Sequence, residues 1–144
     1  MSFLGSTLED PSAGYPPVDA SNRIEARAYI LRVLLYGPGR LDTALRSLQV
    51  HRDTKDDSER DLARRRSMLL LELSKELAST GAKTNAEQRE ALLDERVSRD
   101  VESATLRERL TNLAVLLANA SIEVAFEENR LKAARAAALL LGGE

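Results

Sequence analysis

The chain has 144 residues, the size of one domain, with three tyrosines and two phenylalanines as its only aromatics and no cysteine. That cysteine count excludes disulfides, thiolate zinc sites and cysteine nucleophiles together, and it fits a reducing compartment. Twenty-one basic residues face 23 acidic ones, 11 against 10 before Ser67 and 10 against 13 from it onward, so neither half is a polycation and bulk attraction to nucleic acid is excluded.

Residues 1–20 carry Gly5, Pro11, Gly14, Pro16 and Pro17 without a helical period and read as an extended arm. Ser21 or Asn22 can cap a first helix over residues 22–36, which Gly37-Pro38-Gly39 is expected to stop. Within it Ile24, Ala28, Leu31 and Leu35 form one apolar stripe and Ala26, Ile30 and Val33 a second, the pattern of a helix buried on more than one side.

A second helix is expected over residues 40–80, with Gly81 just past its end. Thr84-Asn85-Ala86-Glu87 has the form of a capping box, so a third helix is predicted over residues 85–141. The fold class is therefore all-α: a long antiparallel helical hairpin or coiled coil turning at residues 81–84, with an additional N-terminal helix and the arm, residues 21–144 forming one helical domain.

Leu106, Leu110, Leu113, Leu117, Ala120 and Val124 recur at spacings of four and three, and the same alternation continues through Glu127, Leu131, Ala134, Ala138 and Leu141. In a hairpin whose opposed residue numbers sum to about 165, Leu73 meets Leu92 in the intramolecular core. The middle is different. Residues 51–61 (HRDTKDDSERD) hold eight charged residues and no apolar one, opposite Leu106, Leu110 and Leu113. An uncovered leucine forfeits roughly 1.5–3 kcal/mol of burial, so a second copy of the chain is expected to cover this seam, with Leu110 in the contact between chains.

No catalytic or metal-binding constellation is apparent. His51, the single histidine, sits in the charged stretch, whose acids lack the central glycine and spaced ligands of a calcium loop. Arg64, Arg65 and Arg66 spread around a helix and could contact phosphates, although Asp56, Asp57, Glu59 and Asp61 lie close enough to neutralise them. The N-terminus shows no secretory pattern, and no unbroken apolar run is longer than that of residues 136–141, which falls far short of the roughly 20 residues of a membrane span. A cytoplasmic protein with no membrane partner and no cofactor is expected.

From Leu62 to Leu141 the arrangement of Ser79-Thr80-Gly81, the link Ala82-Lys83-Thr84 and Ala86-Glu87-Gln88-Arg89-Glu90 opening an alanine- and leucine-rich helix resembles small coiled-coil proteins of tailed bacteriophages. The resemblance implies a location in the host cytoplasm and a setting near replication and recombination functions. The expected function is a non-enzymatic interaction or assembly protein that self-associates through its long C-terminal helix and has a protein partner. The alternative is an accessory nucleic-acid-binding protein using Arg64, Arg65 and Arg66.

Overall fold

The computed structural model describes residues 23–142, so the arm over residues 1–20 and the cap at Ser21 or Asn22 lie outside the described residues. Three helices and no strand are found among the described residues: α1 (Arg23–Thr80), α2 (Ala86–Arg99) and α3 (Val101–Gly142). The all-α class holds, and α1 packs against α3. The element boundaries differ from expectation in two places.

Helix α1 runs 58 residues straight through Gly37-Pro38-Gly39, with Pro38 inside it. Proline lacks the N–H donor and costs about 3 kcal/mol in a helix interior, each glycine about 1 kcal/mol, relative to alanine. The turns on either side bury Val33, Ala44 and Leu48, and burial of this kind is worth roughly 1.5–3 kcal/mol per large aliphatic side chain. Packing on both sides thus holds the helix through a local stop signal.

The link after α1 follows the expected chemistry. Gly81 takes a left-handed φ of 67° just beyond Thr80, a conformation that spares it the Cβ clash other residues suffer. The capping box forms one residue later than Thr84: the Gln88 backbone N–H donates to Asn85 Oδ1 at 2.8 Å, and the Asn85 backbone N–H donates to Gln88 Oε1 at 3.1 Å.

The single helix expected over residues 85–141 is broken at Asp100, whose ψ of 123° ends α2. Its carboxylate then caps α3, accepting from the Ser103 backbone N–H at 2.9 Å and the Ser103 hydroxyl at 2.7 Å. An aspartate serves as well at an N-cap as on a helix surface, which is why a charged sequence without glycine or proline concealed the break.

The chain divides into two compact units, one comprising Val50–Leu117 and the other the segments on either side of it. In the Val50–Leu117 unit, Leu69 and Leu73 of α1 enclose Leu93 of α2, with Leu77 and Val97 packed against them. Leu73 thus lies in the core, and its opposite number is Leu93, one residue beyond the expected Leu92. Residues 51–61 are helical. Their inward positions are His51, half-buried, and Ser58, 2% exposed, while Arg52, Asp53, Asp56, Asp57, Glu59 and Arg60 all face solvent.

Part of the expected seam finds cover within a single copy of the chain. Leu113, Ala120 and Val124 are buried and Leu106, Leu110 and Leu117 half-buried within one copy of the chain. The one fully buried position of the charged stretch is the small Ser58, a side chain that lets a neighbouring helix approach closely without a leucine. Composition averaged over all faces of the helix hid this.

In the other unit, Val33, Ala44 and Leu48 of α1 and Ala120, Val124, Leu131 and Ala134 of α3 are buried. The chain directions are opposed: Arg27 Nη2 donates to the Leu141 carbonyl at 3.3 Å and Arg40 Nε to Glu127 Oε1 at 3.4 Å. Of the two apolar stripes expected on the first turns of α1, the one containing Val33 is covered, while Ile24, Leu31 and Leu35 remain exposed.

Candidate functional site

Arg64, Arg65 and Arg66 occupy consecutive positions on α1 and point to different acids. Arg65 makes a two-pronged bond to Asp100, Nε to Oδ2 at 2.9 Å and Nη2 to Oδ1 at 2.8 Å, with Glu102 at 3.4 Å. Arg66 pairs with Glu90 and, at 3.0 Å, with Asp94 of α2. Arg64 lies 3.8 Å from Asp61. The groove beside Arg64 and Arg65, about 400 Å³, is also lined by Asp61 and Glu102, so its charge is balanced and ill suited to an anion. The three guanidinium groups do not converge on a common point.

The Arg65–Asp100 bond has an electrostatic signature. Hydrogen bonds from Arg65 and then from Ser103 hold the Asp100 carboxyl well below the usual carboxylate range, and the same bond raises Arg65. Arg96 likewise lowers Glu76, its partner across α1 and α2. These pairs fix helices to one another. Among the described residues no group of three His, Asp or Glu side chains could hold a metal ion.

A different surface stands out on α3. In its C-terminal part the covered stripe Ala120, Val124, Glu127, Leu131 and Ala134 occupies one face. The opposite face carries Asn119, Ile122, Phe126, Asn129, Ala133, Ala136 and Leu140, spaced alternately three and four and every one exposed. Ile122 is 67% and Leu140 76% exposed. Phe126, itself half in solvent, has the Arg130 guanidinium 4.3 Å above its ring. Beside this stripe lies an apolar groove of about 570 Å³, floored by Ala133, Ala134 and Ala137 and walled by Tyr29 and Ile30 of α1.

A helix with apolar residues on two opposite faces is apolar on average, and α3 contains an 18-residue stretch long and apolar enough, by length and composition, to cross a membrane. Counting unbroken apolar runs missed this, because polar residues such as Asn119 and Glu123 interrupt the run. The sequence reading likewise missed the outer stripe. Its signal was present as a second alternation of three and four, offset by half a turn from the first.

No protein-family model matches the chain, and comparison with curated proteins and with solved structures found no match either.

Proposed function

We propose that this chain is a non-enzymatic interaction and assembly protein, a long antiparallel helical hairpin with coiled-coil packing that self-associates through the outer face of α3. The observation that carries the reading is the stripe from Asn119 to Leu140, regular in spacing and exposed along its whole length. A helix whose apolar residues recur at 3.5-residue intervals is shaped to meet another helix, and exposed apolar patches of this kind on soluble proteins mark interaction sites. The opposed pairs Arg27 with Leu141, Arg40 with Glu127 and Arg65 with Asp100 support the hairpin reading. Their residue numbers sum close to the expected 165.

The interface proposed here differs from the one expected from sequence at Leu106, Leu110, Leu113, Leu117, Ala120 and Val124, since Leu113, Ala120 and Val124 are already buried within one copy of the chain. A nucleic-acid role is not adopted, because each of Arg64, Arg65 and Arg66 is engaged by an acid of the chain itself.

Light scattering coupled to size exclusion tests the proposal across the micromolar range. A mass at or above twice 15.9 kDa supports self-association, and a constant monomer mass rejects it.

A further inference from the structure

We infer that the outer stripe of α3 receives the same stripe of a second copy in antiparallel orientation, about a two-fold axis between residues 127 and 128. The inference rests on the self-association proposed above and specifies its geometry. It follows from how side-chain size and charge are distributed along the stripe.

The bulky members, Ile122 and Phe126, lie toward one end of the segment, and the alanines, Ala133 and Ala136, toward the other. A parallel, in-register pair would set Phe126 on Phe126 and Ala133 on Ala133. The first layer forces the helices apart and the second requires close approach, two demands that one straight helix pair cannot meet within about 10 Å of length. Antiparallel pairing about 127–128 gives residue numbers that sum to 255. The second copy's Ile122 then meets Ala133, its Phe126 meets Asn129 and its Asn119 meets Ala136. Every layer combines a larger side chain with a smaller one, and the interhelical distance stays even.

Shape and charge agree with that alignment. The second copy's Ile122 comes down over Ala133, at the edge of the alanine-floored groove walled by Tyr29 and Ile30, so knob and hole are both present on the same surface. Glu123 and Arg130 flank the stripe at equivalent positions on one side of α3. Antiparallel pairing brings Glu123 of each copy near Arg130 of the other, whereas the parallel pair offers either residue only alanine. The contact is isologous, so it closes after two copies and leaves no open end for a filament. From Asn119 to Ala136 the paired layers span about 25 Å of helix.

Single cysteines test the geometry cleanly, because the chain has none of its own. Asn129→Cys and Ala136→Cys are solvent-exposed replacements, and unchanged helical circular dichroism verifies each fold. Under the antiparallel geometry Asn129→Cys joins to itself through a disulfide or a short bismaleimide. Ala136→Cys does not, since its own counterpart lies about 25 Å away along the axis, but it joins to Asn119→Cys when the two variants are mixed. Self-joining of Ala136→Cys as efficient as that of Asn129→Cys establishes a parallel pair and overturns the inference. An assembled chain in which no stripe cysteine joins overturns it too, and leaves self-association standing through another surface. A monomer mass at all concentrations removes self-association and this geometry together. Co-sedimentation of that monomer with phospholipid vesicles would assign the stripe to a lipid surface instead.

Discussion

Two glycines separate what a Cβ costs in each setting. At Gly39, inside α1, an added Cβ meets nothing within 4 Å, and φ is ordinary. Gly39→Ala is therefore expected to raise stability by about 0.5–1 kcal/mol through reduced freedom of the unfolded chain. At Gly81 the space is equally open but φ is 67°, so Gly81→Ala should lower stability by about 1–2 kcal/mol. Urea denaturation of the two variants checks both signs. Asp100 supplies a pH dependence. Its carboxyl titrates lower in the folded chain than the ordinary aspartate value of about 3.9, so its stabilising contribution is complete above that value and is lost as pH falls from there toward the folded pKa. The melting temperature of the native chain should exceed that of Asp100→Asn at neutral pH, with the gap closing under acid. A constant gap would mean that the charge on Asp100 does not matter.

At the scale of elements, α2 depends on its neighbours. Fourteen residues are marginal as an isolated helix, and the one buried side chain of α2 is Leu93, 2% exposed against Leu69 and Leu73. Leu93→Ala should cost about 2–5 kcal/mol and release α2 first, seen as loss of hydrogen-exchange protection over residues 86–99 before α1 and α3. The all-α class, the end of α1 at Thr80 and, to within one residue, the capped start of α2 were legible in the sequence, because glycine past a helix end and a capping pair act locally, although the pair that forms is Asn85 with Gln88 and not Thr84 with Glu87. The continuity of α1 through Pro38 was not. It depends on Val33, Ala44 and Leu48 finding cover from residues distant in sequence. The break at Asp100 was illegible for the opposite reason, since it needs Arg65, 35 residues away, to favour the carboxylate that caps α3.

For the whole molecule, the fold and the proposed self-association draw on different faces of α3. Leu113, 5% exposed, belongs to the chain's own packing, so Leu113→Asp should abolish cooperative unfolding or lower stability by more than about 3 kcal/mol. Ile122→Asp, on the exposed stripe, should leave helical content intact and weaken the proposed dimer at least about tenfold. Equal loss of helicity in both variants would put Ile122 in the fold rather than the interface. Which stripe the fold covers was not readable from the sequence, because both alternate in the same way and only the pairing of α1 with α3 decides between them. That pairing also sets an order in time. The cross-helix bonds of the Val50–Leu117 unit close sequence separations of 20 and 35 residues, whereas Arg40 to Glu127 and Arg27 to Leu141 close 87 and 114. Loop-closure entropy grows with each step, so the chain zips outward from the link after Thr80, and the C-terminal part of α3 is the last to find cover. During that interval both of its apolar faces are open to water, and the nascent chain is then most exposed to aggregation.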